Sequence, residues 1–353
     1  MRSWAQNVRA VDTLAEIGAF GAVSRNEAGM RILRRSVFAL LSGVCLFPFL
    51  SVAPANADNA IVNVGPTTIT ELTGGEGHVL ATLHIGTVPA GVSHNLRSEI
   101  VVGDGRADGA PSRVAVGHKI TCQAVGGATL RNGQVWNGQN ILANAADSRL
   151  SVRMMFTPVV TGDYECLLRV YLNDGLAVGY ESASLRSGFL ADVDGAIGPA
   201  SVAQVFGAAT TYFALGSAGR QLQSVTGYQP VAGARSFFAV GDMYVTSCYG
   251  TGGNACPAGT YPTAGSALVR HRLVATPSIL GGSCVAKATP SKYLSVSRYV
   301  HHQRISQEMT VSVPAGGCGT WTVNTYVQSA GGELPFVIHG NPYSLTYARP
   351  LVG

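Results

Sequence analysis

The chain is short of charge and lacks the motifs of the familiar catalytic classes. Only 12% of its residues are Asp, Glu, Lys or Arg. Beyond residue 57 there are 18 basic and 16 acidic residues. That near-neutral balance leaves no electrostatic footprint for nucleic acid or for an anionic membrane. A G-x-S-x-G elbow is missing, as is H-E-x-x-H, which argues against the corresponding serine hydrolases and zinc proteases. No C-x-x-C or H-x-x-x-H pair is available to hold structural zinc. The acidic residues are scattered over turns and outward faces, so no carboxylate pair stands out for glycoside hydrolysis. No catalytic residue, metal ligand or cofactor is therefore named from the sequence. No segment keeps a sustained helical period either, which points away from helical folds.

What is present begins with an export signal. Residues 1–29 show no pattern and read as a start-site artefact or a disordered extension, with Met30 as the start. Residues 30–57 then have the parts of a signal peptide. Arg31, Arg34 and Arg35 are basic, Val37–Leu50 is apolar, and Ala55-Asn56-Ala57 is a small-residue cleavage site. The apolar run is too short, and too broken by Pro48 and Pro54, for a membrane anchor. Cleavage removes Cys45 and leaves six cysteines: Cys122, Cys166, Cys248, Cys256, Cys284 and Cys318. An even set in an exported chain reads as three disulfides, with sequential pairing the simplest of the 15 arrangements.

Alternation defines strands. In "HKITCQA" Ile120, Cys122 and Ala124 share a face, and in "RLSVRMMFT" Leu150, Val152, Met154 and Phe156 do the same. In "TGDYECLLRVYL" the apolar face is Tyr164, Cys166, Leu168, Val170 and Leu172. Gly is abundant at 44 residues, and turn signals recur roughly every 8 to 12 residues, so the fold class is all-β. Tyr-x-Cys at 164–166, with an inward Cys122 upstream, resembles immunoglobulin-like domains. That resemblance covers residues 112–175. It implies a corner role for Tyr164 and a Cys122–Cys166 bridge joining two facing sheets. The alternative is another antiparallel sandwich with an independently acquired bridge. Trp136 lies between Asn132-Gly133 and Asn137-Gly138, both read as hairpin turns. It is either a core plug over the bridge or an exposed aromatic for a sugar or protein partner.

The length suggests two antiparallel β-sandwich domains, at residues 58–190 and 205–353, with a linker at 191–204 where alternation lapses around Gly198-Pro199. In the second half Ile305, Met309, Val311 and Val313 form one apolar face, and Trp321, Val323 and Val327 another. Cys248 and Cys256 close a Gly-rich tip. Cys284 then pairs with Cys318, whose parity differs from that of Trp321 and places this bridge at a sheet end. "VTGDYECLLRVYL" and "PAGGCGTWTVNTYV" look related, which raises an internal duplication. His301-His302 would point to opposite faces of a strand, and His271 sits on an apolar face. Asp104 and Asp108, or Asp192 and Asp194, offer oxygens but not the spacing of a calcium loop.

Few Lys beside many Arg, with much Ala, Gly and Val, suggests a high-GC bacterial genome. The Cys248–Cys256 staple, the His-His pair and "GGCGTWTV" resemble uncharacterised secreted proteins of actinomycete type, a resemblance that implies no activity. The expectation is a secreted, non-enzymatic binding or structural protein. Its partner would be an extracellular protein or glycan, with no nucleic acid and no membrane span once the leader is cleaved. The alternatives are a secreted hydrolase with a loop-built site and a surface-assembly or adhesin subunit.

Overall fold

A computed structural model describes residues 60–70, 77–105, 113–142, 146–173, 182–198, 201–252 and 255–351. The leader at 30–57, the segment before it, and Asp108 lie outside the described residues. Every regular element in the described residues is a strand. The first nine are β1 (Ile61–Val64), β2 (Thr67–Ile69), β3 (His78–Val88), β4 (Ser93–Asp104), β5 (Arg113–Ala124), β6 (Thr129–Leu142), β7 (Ser148–Phe156), β8 (Gly162–Asn173) and β9 (Ala183–Ile197). They form two antiparallel sheets. In one, β9 lies between β4 and the broken strand β1/β2, with β7 outside β4. The order in the other is β3-β8-β5-β6. The inward residues of both sheets meet in one core that includes Leu96, Ile120, Leu150, Met154 and Leu168.

This strand order is that of a jelly roll, two Greek keys folded face to face, and it corrects the immunoglobulin-like expectation. Cys122 and Cys166 are direct neighbours across β5 and β8, with Cα atoms 4.1 Å apart. The bridge therefore lies within one sheet and does not join two. Parity places both sulfurs inward, and both residues are fully buried. The corner survives the change of topology: the Tyr164 hydroxyl donates to the Val160 carbonyl at 2.7 Å. Neither Asn-Gly pair is a turn, because both lie within β6. Asn137 is buried opposite His118, and its amide donates to the Ser151 carbonyl of the facing sheet. The β5–β6 turn instead passes through Gly126, whose φ is 71°.

The remaining strands are β10 (Ala203–Phe206), β11 (Thr211–Phe213), β12 (Arg220–Tyr228), β13 (Ser236–Ser247), β14 (Ser266–Pro277), β15 (Lys287–Ala288), β16 (Lys292–Ser297), β17 (His302–Ser312), β18 (Trp321–Gly332), β19 (Phe336–Ile338) and β20 (Leu345–Pro350). They repeat the first plan. Here β19 and β20 act as one broken strand between β13 and the broken pair β10/β11, and β17 flanks β13. The facing sheet runs β12-β18-β14, with β15 and β16 outside β14. The equivalence extends to register. Tyr164 pairs with Ala124 at the end of β5, and Trp321 pairs with Pro277 at the end of β14. Counting inward, Cys122 and Cys166 correspond to Ala275 and Val323, and His118 corresponds to His271.

Residues 191–197, expected to begin the linker, complete β9. Alternation lapses there because Asp192 and Asp194 are held by polar partners. His94 Nδ1 lies 2.6 Å from Asp192, and Asp194 takes a hydrogen bond from Asn95 and an ion pair from Arg349 at 3.1 Å. The two sandwiches are closely packed together. The outer face of β13, β17 and β20 lies against the β6 and β7 edges, and Val240, Leu345 and Tyr347 join the first sandwich's core cluster. Gln204 brackets the Met155 backbone, accepting from its N–H at 2.8 Å and donating to its carbonyl at 3.0 Å. Arg304 ion-pairs with Asp242 at 2.8 Å and donates to the carbonyls of Trp136 and Tyr343.

Candidate binding face

The outer surface of the β12-β18-β14-β16 sheet stays open and carries an organised polar array. In β14 the even positions face outward, since Leu273 and Ala275 are buried in the core and Arg270 and Arg272 are not. Cross-strand pairing then builds two rows. One runs from Tyr293 on β16 through Arg270 to Gln328 on β18. The next runs from Arg272 to Tyr326 and on to Gln221 on β12. Same-face positions two residues apart on a strand are separated by roughly 7 Å, so the two guanidinium groups sit in adjacent rows.

Neighbours hold these side chains in place. Arg270 donates from Nε to Ser291 Oγ at 2.7 Å and from Nη1 to Gln328 Oε1 at 3.2 Å. The Tyr326 hydroxyl donates to Gln221 Oε1 at 3.2 Å. A groove of about 300 Å³ runs between them, lined by Gly219, Arg270, Arg272, Val274, Tyr326, Val327 and Gln328. Tyr293 stands beside it, 55% exposed. Behind the arginines, burial and the nearby Lys292 lower the His271 pKa to about 4, against an opposing pull from Asp242. The inner side therefore contributes a neutral ring and no positive charge.

The surroundings are strongly one-signed. The five strands of this sheet carry Arg220, Arg270, Arg272, Lys287 and Lys292, and no Asp or Glu. From residue 203 onward there are nine basic residues and three acidic ones. Each of the three acids is engaged: Asp242 with Arg304, Glu308 with Arg153 at 2.7 Å, and Glu333 with the Ser266 N–H at 2.9 Å. Averaging charge over the chain hid this asymmetry. The signal was legible as Arg270-His271-Arg272 in an alternating strand, with no acid between Asp242 and Glu308.

Trp136 occupies the corresponding outer face of the first sandwich, and there the face is used for packing. The ring meets Tyr171 at 5.9 Å and Tyr343 at 6.0 Å, both edge-on, and Lys119 Nζ stands 4.6 Å above it. Its backbone N–H donates to the Pro342 carbonyl. Trp136 is thus neither a plug over the 122–166 bridge nor an exposed anchor; it seats the second sandwich on the first.

The other sequence candidates are placed as follows. Cys248–Cys256 pins its loop locally, and Cys284–Cys318, just before β18, is buried and joins the core cluster around Trp321 and Val323. His301 precedes β17, so strand alternation does not govern the pair, and the two rings lie 3.8 Å apart. His301 Nδ1 lies 2.7 Å from Asn140 Nδ2, while the Thr246 hydroxyl sits between His302 Nδ1 and His339 Nε2. His271 is in the core, with both ring nitrogens lacking a hydrogen-bond partner. Asp192 and Asp194 are committed to His94, Asn95 and Arg349. Among the described residues no group of His, Cys, Asp or Glu could hold a metal ion.

No family model matches the chain, and no curated protein matches it. Several solved structures match at low similarity. The N-terminal CBM22-1-CBM22-2 tandem domain of Xyn10C from Paenibacillus barcinonensis is 11% identical, over 76% of this chain and 82% of that one, with a TM-score of 0.23. A putative secreted protein from Parabacteroides distasonis is 7% identical, over 82% and 88%, at 0.19. The Broad Bean Stain Virus structure is 9% identical, over 82% and 89%, at 0.24. At these scores the matches carry no argument about ligand or role.

Proposed function

We propose that this is an exported, non-catalytic binding protein whose second sandwich holds an acidic polysaccharide on the open β12-β18-β14-β16 face. The observation that carries the reading is the pair of cross-strand rows, Tyr293-Arg270-Gln328 and Arg272-Tyr326-Gln221. Arginine's planar fork suits carboxylate or sulfate groups, tyrosine rings offer faces for sugar rings, and glutamine amides suit hydroxyls. An array spread over four strands matches an extended chain better than a small enclosed ligand. The groove is lined by guanidinium, phenol, amide and aliphatic groups. Carboxylate, imidazole and thiol, the commonest hydrolytic groups, are not among them, which favours binding over hydrolysis.

Export is supported by the leader at 30–57 and by three disulfides, which persist in oxidising compartments. Affinity electrophoresis of the mature protein tests the ligand class. Polygalacturonate in the gel should retard migration, and neutral dextran should not. Equal retardation by both polymers, or by neither, would remove the acidic-polysaccharide reading.

A further inference from the structure

The tip between β14 and β15 lies at the end of the second sandwich and is unusually well fixed for a loop that exposes aliphatic side chains. Ser278 N–H donates to the Thr320 carbonyl at 2.7 Å, and Thr320 N–H donates back to Ser278 Oγ at 3.0 Å. Ile279 N–H donates to the Cys318 carbonyl, and Gly281 and Cys284 exchange two backbone hydrogen bonds of 3.0 Å. The Cys284–Cys318 bridge closes the base. On this frame Ile279 is 60% exposed, Leu280 67% and Val285 44%.

The apolar surface continues sideways. A Cβ on Gly319 would lie 3.2 Å from the Ile279 side chain, and Gly319 also lines a cleft with Val231, Pro314 and Arg235. Val231 is itself 45% exposed. The charge near the tip is positive, from Arg235 in the cleft and Lys287 just beyond Val285. Among the described residues of the second sandwich, no carboxylate lies in the loop or lines the cleft. Asp242 and Glu308 serve the junction with the first sandwich, and Glu333 lies beside Ser266 at the opposite end of β14.

From the rigid aliphatic prow and its cationic flanks we infer that residues 279–285 insert into the surface of an anionic lipid bilayer. Pre-ordering by the disulfide and the four backbone hydrogen bonds removes the entropy cost that a floppy loop would meet on insertion. Aliphatic burial supplies the depth, and Arg235 and Lys287 supply attraction to anionic headgroups. This is peripheral contact through a loop, distinct from the polysaccharide face.

Sedimentation with lipid vesicles tests it. The mature protein should pellet with vesicles of equal parts phosphatidylglycerol and phosphatidylcholine and stay in solution with phosphatidylcholine alone. Ile279→Ser/Leu280→Ser should reduce partitioning by roughly tenfold or more, as expected for losing two buried aliphatic side chains. Its thermal midpoint and retardation by polygalacturonate should be unchanged. Arg270→Ala/Arg272→Ala should keep vesicle binding, which separates this site from the face on β14. No vesicle binding by the wild type, or undiminished binding by the tip variant, would overturn the inference. So would a protein that self-associates through the tip, shown by a concentration-dependent dimer that the tip substitutions abolish.

Discussion

Cys122→Ala/Cys166→Val is the substitution pair that the repeated architecture itself suggests. The two cysteines face each other across β5 and β8, fully buried. Their counterparts across β14 and β18 are Ala275 and Val323, also fully buried. The second sandwich therefore shows that an Ala–Val pair fills this site in the same sheet context. Replacing the bridge with that pair should cost the loop-closure contribution and little else. For a sequence separation of 44 residues, chain-entropy scaling puts this near 4 kcal/mol. Cys122→Ala/Cys166→Ala should lose a further 1–2 kcal/mol, roughly, because the missing methyl groups leave a void. Urea unfolding under non-reducing conditions, with midpoint and slope fitted separately, distinguishes the two. Equal losses in both variants would refute the register equivalence of the sandwiches.

Other substitutions probe the junction and the cores. Arg304→Ala strands Asp242, which is 1% exposed, and should cost about 3–5 kcal/mol. Arg304→Ala/Asp242→Ala should recover part of that loss in the same urea titration, and no recovery would mean that Arg304 acts through its carbonyl contacts instead. Burial lowers the pKa of His118 to about 3, with Arg304 adding to the effect, and lowers His271 and His339 to about 4. Unfolded histidines take up protons below about 6.5 while these three stay neutral in the fold. Stability should be full above that pH and fall toward pH 4, by up to about 1.4 kcal/mol per pH unit for each histidine. A urea midpoint that does not change between pH 7 and pH 5 would contradict this. Gly241→Ala would place a Cβ 2.6 Å from Thr325 Oγ1, 3.1 Å from Leu273 and 3.2 Å from His271. Its thermal midpoint should fall by an amount corresponding to roughly 1–3 kcal/mol.

Which residues point inward was legible from alternation alone. The apolar parity of β5, β7, β8 and β18 faces the cores, although Lys119, Thr121, Met155, Leu167 and Tyr171 of the other parity are buried as well, and the Tyr164 corner follows from Tyr-x-Cys. Strand neighbours were not legible in the same way. An inward cysteine looks identical whether its partner lies on the adjacent strand or across the core, so the 122–166 bridge was assigned to the wrong geometry. Asn-Gly at 137–138 failed as a turn signal because the Asn side chain has a tertiary task, bonding the Ser151 carbonyl. His301 escaped the parity argument because the strand begins one residue later. Charge averaged over halves of opposite sign conceals the outward arginines of β14, and Trp136 lies on the face that packing consumes.

The most direct test of the binding face is isothermal titration of polygalacturonate into wild type and into Arg270→Ala/Arg272→Ala. Both arginines are on the surface, so the double variant should fold with an unchanged thermal midpoint. Losing two charge-assisted, multidentate contacts at about 1.5–3 kcal/mol each should lower affinity by roughly a hundredfold or more. The wild-type affinity should weaken as salt rises, since exposed charges are screened over about 10 Å at 0.1 M. Affinity that is the same in both proteins would contradict the assignment of the β12-β18-β14-β16 face as the site of recognition.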